Sequence, residues 1–213
     1  MVGNIRIAAL AGASLLASSA ALQAQDGIEG PQYNVLASAQ GVELREYAPH
    51  LVAEVTVDAD SMREASSRGF RPLAGYIFGN NQAADKIAMT APVTTQPTDS
   101  GTKIAMTAPV TTAGQGDGRY TVRFSMPSKW TMETLPLPND GSVNLVQVES
   151  EKRAAYRFTG SRSQDRIDEA TDRLEAFLVQ EDLRATSPVI VAGYDGPSVP
   201  MERKRWEVMV IVE

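Results

Sequence analysis

The chain of 213 residues contains no cysteine and one histidine, His50. Without thiols there is no disulfide framework, no thiolate zinc or iron–sulfur site, no covalent c-type haem attachment and no cysteine nucleophile. A single imidazole excludes multi-histidine metal sites, and any catalytic relay built on histidine has to use His50. Positive charge is in deficit, with 20 Lys and Arg against 26 Asp and Glu and a formal charge of -6. That balance makes nucleic acid and anionic membrane surfaces poor partners. No apolar run reaches the ~20 residues that a membrane-spanning helix needs. No Gly-x-Ser-x-Gly elbow occurs, and Gly114 to Gly118 leads into a strand rather than a helix, so it is a hairpin connection and not a phosphate loop. No enzymatic activity is expected.

What remains is the composition of an ordinary globular domain, 43% hydrophobic, 22% charged and 6% aromatic. The first 24 residues stand apart. Arg6 precedes an apolar stretch from Ile7 to Leu22 that is interrupted by Ser14, Ser18 and Ser19, and Leu22-Gln23-Ala24 ends in the small residue a signal peptidase requires. Residues 1–24 are therefore expected to be a cleaved signal peptide, and 25–213 a single domain that is soluble in a periplasm or outside the cell and has no stable membrane insertion.

From Tyr33 onward, period-two alternation marks strands. Val42 to Tyr47 alternates, Ala48-Pro49-His50 turns, and Leu51, Ala53, Val55 and Val57 share one face of the next run, which predicts a hairpin. Ser61 with Glu64 has capping-box spacing, and Met62, Ala65, Phe70, Leu73 and Ile77 recur near helical period, with Pro72 expected to kink or restart the helix. Val143 to Glu149 and Ala154 to Thr159 form a second alternating pair. Ser161 with Gln164 then predicts a cap, and Ile167, Ala170, Leu174, Phe177 and Leu178 mark a second helical face. A strand-strand-helix unit thus occurs twice, suggesting a pseudo-two-fold arrangement. Arg119 to Met126, Val189 to Tyr194 and Arg205 to Val212 supply further strands, the last apolar on both faces.

Lys86 to Thr95 recurs without change as Lys103 to Thr112. By period each copy reads as a strand, with Ile87, Met89, Ala91 and Val93 on one side and Ile104, Met106, Ala108 and Val110 as their counterparts. Pro92 and Pro109 confine the copies to edges, bulges or strand ends. The two methionines suggest either core filling or a pair of thioether ligands, and packing is the better account.

The Lys-Ile-Ala-Met-Thr-Ala-Pro-Val segment at 86–93 and 103–110 resembles the most distinctive motif of the SOUL haem-binding protein family. Val42 to Tyr47, Gly69 to Asn80, Phe124-Ser125-Met126-Pro127 and Arg203 to Val208 resemble further blocks of it, so the likeness spans residues 31–213. The resemblance implies an α+β fold, a distorted antiparallel β-barrel with two flanking helices. It also implies non-covalent tetrapyrrole binding, either in an apolar groove beside the first helix or through a histidine in the strand-turn before it. Where the family's histidine would stand, this chain has Glu46, and His50 follows four residues later. The groove mode is therefore expected, with Met62, Phe70, Leu73 and Ile77 as floor, Arg63 near a propionate and His50 as the alternative ligand. The expected cofactor is haem and the expected role that of a carrier or buffer. Protein partners are not indicated. Binding of another amphipathic small molecule, or a ligand-free structural or stress role, are the alternatives.

Overall fold

A computed structural model of the chain describes residues 28–82 and 101–213. The strands among them are β1 (Tyr33–Ala39), β2 (Val42–Tyr47), β3 (His50–Asp58), β4 (Asn81–Gln82), β5 (Val110–Gly114), β6 (Arg119–Ser125), β7 (Leu137–Pro138), β8 (Asn144–Val148), β9 (Glu151–Thr159), β10 (Ile190–Gly193) and β11 (Arg205–Val212). The helices are α1 (Met62–Ile77) and α2 (Gln164–Gln180). Nine strands join in one antiparallel sheet of order β1-β2-β9-β11-β10-β5-β6-β3-β8, curled into a half-barrel, while β4 and β7 pair separately. The α+β class expected from the alternation is what the molecule has.

The predicted β2–β3 hairpin does not form. At Ala48-Pro49 the chain leaves β2, which pairs with β1 and β9, and enters β3, which pairs with β6 and β8. Likewise β8 and β9 are consecutive but lie at different places in the sheet. Period-two alternation identifies a strand and its buried face but carries no information about which strand it pairs with, so the nearest neighbour in sequence was the wrong partner.

Both helices cover the same face of the sheet, α1 over β3, β5 and β6 and α2 over β2, β9 and β11. Leu73 and Ile77 of α1 pack on Leu51, Ala53, Val55 and Val122 of the sheet; Leu174 and Phe177 of α2 pack on Ala154, Phe158, Val208 and Val210. Ser61 caps α1 as its spacing predicts, its Oγ accepting from the Glu64 N–H at 3.3 Å while Glu64 Oε2 accepts from the Asp60 N–H at 3.1 Å. α1 runs unbroken through Pro72. Gly69 lets it approach the sheet closely: a Cβ there would stand 2.6 Å from Val122 Cγ2 and 2.7 Å from Val122 Cβ. α2 starts after Ser163 and has no side-chain cap, so the box predicted from Ser161 and Gln164 is not made.

The second copy of the repeated decapeptide becomes strand only at Val110. Ile104 is buried in the α1 cluster, but Met106 is 48% exposed, because the segment before Val110 is not held in a ladder and its side chains do not alternate in burial. The first copy, with Met89, lies outside the described residues.

Candidate cavity on the inner face of the sheet

Among the described residues, those expected to floor a groove beside α1 line no common cavity. Leu73 and Ile77 are 0% and 2% exposed, sealed against β3 and β6 in the helix-to-sheet core, so they present no surface to a ligand. Met62 packs toward the α2 cluster. Phe70 stays 41% exposed with its ring edge-on to Phe124 at 5.3 Å. Arg63 is exposed and reaches the Arg162 carbonyl at 3.5 Å. Leu73 and Ile77 thus serve the ordinary amphipathic packing of the helix on the sheet.

His50 is placed differently. It begins β3, is half-buried, and lines a cavity of about 260 Å³ on the sheet face opposite the helices. Tyr33 from β1 and Val148 from β8, the two ends of the strand order, line this same cavity, so the sheet curls around it. Val52, Ile190, Met209 and Ile211 supply apolar wall; Tyr47 and Tyr194 add rings with polar tips. His50 also borders a second space of about 240 Å³ lined by Pro49, Leu51, Met126 and Trp130.

The His50 ring has a fixed tautomer. Its Nδ1 lies 2.9 Å from the Ala48 carbonyl, an acceptor only, so Nδ1 carries the proton and Nε2 keeps its lone pair. Burial, opposed by that hydrogen bond, holds its pKa below the ordinary 6.5, so the imidazole is neutral at pH 7.

Beside the cavity runs a buried ionic network. Glu207 on β11 is fully buried, and its carboxylate accepts from Arg45 Nη1 at 2.8 Å, Arg45 Nη2 at 2.9 Å, Arg157 Nε at 2.9 Å and the Tyr194 hydroxyl at 2.5 Å. Burial pushes this carboxyl up, but the Arg45 hydrogen bond and charge, with Tyr194 and Arg157, outweigh it and hold the pKa below the usual value. Burial, and then the Glu207 charge, push the Tyr194 hydroxyl well above its ordinary value. The Arg45 guanidinium lies 4.5 Å from the Tyr33 ring centroid and that of Arg153 lies 4.5 Å from Tyr47, stacking that keeps both cations flat against aromatic faces. Among the described residues, Arg123, Arg153 and Arg157 line the cavity, whereas no Asp or Glu does.

Tyr33, Tyr47, Arg153, Arg157, Tyr194 and Glu207 were not singled out from the sequence. A signal was present: Glu207 interrupts a strand whose other residues from Trp206 to Val212 are apolar, and a carboxylate in a strand covered on both faces requires a buried cation.

A family model described as SOUL heme-binding protein matches residues 28–100 and 95–211. The chain belongs to that family. The two matches divide the SOUL protein at its duplicated decapeptide, each taking one whole copy. No curated protein matches it significantly in sequence. Among solved structures it is similar to a protein described as a hydrolase from Listeria innocua, at 15% identity and TM-score 0.53, covering 83% of this chain and 94% of that one. It is also similar to the EcmrR C-terminal domain, at 11% identity and TM-score 0.57, covering 81% and 96%. At these identities the likeness concerns the fold alone.

Proposed function

We propose that this SOUL-family protein binds a tetrapyrrole of the haem class reversibly and non-covalently in the inner-face cavity, acting after export as a carrier or buffer and not as an enzyme. The observation that carries this reading is the composition of the wall among the described residues: apolar and tyrosine surface, three arginines, one neutral imidazole and no carboxylate. A porphyrin is an apolar plate with acidic side chains, so its burial is favourable against such a wall and its propionates match guanidinium groups. The cavity of about 260 Å³ is just below the ~300–1,000 Å³ of sites that enclose a drug-sized ligand, so a plate of porphyrin size would seat one edge and leave the rest at the mouth. His50 Nε2, unprotonated and aimed by the Nδ1 hydrogen bond, fits an iron ligand. Bound haem would supply a metal centre whose spectrum reports its axial partner.

This reading prefers the inner-face cavity and His50 to the groove beside α1 that the sequence led us to expect. Titration of the mature protein with haemin is expected to give a saturable Soret change at one equivalent, and His50→Ala is expected to remove the imidazole-ligated spectrum. A gradual, non-saturating change counts against binding; an unaltered spectrum in His50→Ala removes His50 as ligand. The second reading, a smaller amphipathic ligand, is favoured by the cavity's size and is supported if haemin fails while such a ligand saturates. Export rests on Ile7 to Ala24, which lie outside the described residues, and mass spectrometry finding a mature N-terminus near Gln25 would support it, whereas an intact Met1 on the secreted protein would overturn it.

A further inference from the structure

We infer that the inner-face cavity is selective for anionic amphiphiles, gripping a ligand's carboxylate at Arg153, with Arg157 as a separate anchor for a second acidic group, while an apolar body lies against Tyr47, Ile190 and Met209. This concerns the same cavity as the tetrapyrrole reading but goes beyond it, because it fixes the charge of any occupant, whatever its skeleton.

The argument rests on how the wall arginines are held. Each is tethered at Nε by a carboxylate that does not itself line the cavity: Arg123 by Glu54 at 2.7 Å, Arg153 by Glu151 at 2.6 Å and Arg157 by Glu207 at 2.9 Å. Tethering at Nε leaves the far edge of the guanidinium uncommitted, and Nη1 of each has no partner among the described residues. For Arg153 this matters most. Its side chain is 8% exposed and stacked on Tyr47, so its open edge is held in one orientation at the cavity wall. A guanidinium fork with one edge anchored and the other open is preorganised for a carboxylate, and a charge-assisted hydrogen bond there is stronger than a neutral one.

A cation would meet the opposite conditions. Glu207, the fully buried carboxylate among the described residues, is already covered by Arg45, Arg157 and Tyr194, and no described carboxylate lines the wall to balance positive charge. Glu207 therefore serves as a positioning residue for Arg157 and not as a ligand-binding acid. Arg153 and Arg157 lie four residues apart on one face of β9, roughly 13 Å along the strand, so they offer two separate anchor points.

The test is calorimetric titration of the full chain with decanoate, decanol and decyltrimethylammonium, which share a chain length and differ in charge. Decanoate is expected to saturate one site about tenfold or more tighter than decanol, with decyltrimethylammonium weakest. Arg153→Gln is expected to bring decanoate down to the decanol level while leaving decanol unchanged. Equal affinities, a preference for the cation, or no saturable decanoate binding overturns the inference. If Arg153→Gln does not fold, the three-ligand comparison on the unaltered protein decides alone. Haemin and its dimethyl ester separate this inference from the tetrapyrrole reading. If haemin fails but the decanoate order holds, selectivity stands and the tetrapyrrole reading falls; if haemin and its ester bind equally, the tetrapyrrole reading stands and selectivity falls.

Discussion

The two faces of the same strands follow different rules. On β9, Ala154 and Phe158 turn toward α2 and are buried among aliphatic side chains, while Arg153 and Arg157 turn the other way into the cavity wall. On β11, Val208, Val210 and Val212 face α2; Met209 and Ile211 line the cavity, and Glu207 sits in the ionic network. On β3, Leu51, Ala53 and Val55 lie under α1, whereas His50 and Val52 line the cavity. The helix-covered face needs only apolar surface at the right period, and burying it stabilises the fold at roughly 25 cal/mol per Å². The inner face carries arginines and a glutamate whose desolvation roughly cancels their attraction, so stability alone does not account for them. A surface that costs desolvation and keeps its charges paired is the surface to examine for recognition.

The sharpest way to break that comparison is to remove one partner of the buried network. Glu207→Gln leaves Arg45, with a side chain 2% exposed, facing an uncharged amide on its buried side with only the half-exposed Glu43 still paired to it, and breaking a buried pair in this way costs about 3–5 kcal/mol. Urea melts should show that loss. A change below about 1 kcal/mol would mean that the network is wetter and less coupled than its distances indicate.

On the helix face the counterpart is Leu73→Ala. Leu73 is fully buried between α1 and the sheet, so truncation should cost ~2–5 kcal/mol by lost burial and a residual cavity. Ligand affinity of the folded protein should not change, because Leu73 lies across the sheet from the cavity. Measuring melts and ligand titrations on the same variant separates the faces: weakened binding in the folded fraction would return the site to the α1 groove.

The strands and the α1 cap were legible because their signals are local: alternation for β3 and β11, Ser61 with Glu64 for the helix start. Partner choice was not, since β2 and β3 carry the same pattern whether they pair with each other or with β9 and β8. The burial of Met106 was misjudged because period alone cannot show where ladder bonding begins, and here it begins at Val110. For the site, His50 was named and lies on the cavity, but the residues around it converge from β1, β2, β9, β10 and β11. Tyr33 and Tyr194 are 161 positions apart in the chain and meet only through the sheet order.

The smallest expected effect is a pH dependence at the boundary between the faces. Burial first, then the Arg153 and Arg123 charges, lower the pKa of His50, against the Ala48 hydrogen bond and Glu151, which raise it. In the unfolded chain the ring titrates near its ordinary 6.5, so above that value both states hold it neutral and no stability is lost. As pH falls below 6.5 the unfolded chain takes up a proton that the folded ring resists. Stability then declines by at most about 1.4 kcal/mol per pH unit until the folded pKa is reached. His50→Gln should flatten this segment of the curve while leaving the acid limb governed by Glu207, which lies at lower pH. The comparison of wild-type and His50→Gln melts at pH 7.5 and at steps below 6.5 measures it. Identical slopes would show that the folded ring is as free to protonate as in the unfolded chain. That would make the imidazole charged when the cavity is approached from the acid side, and remove the neutral nitrogen on which the iron-ligand assignment depends.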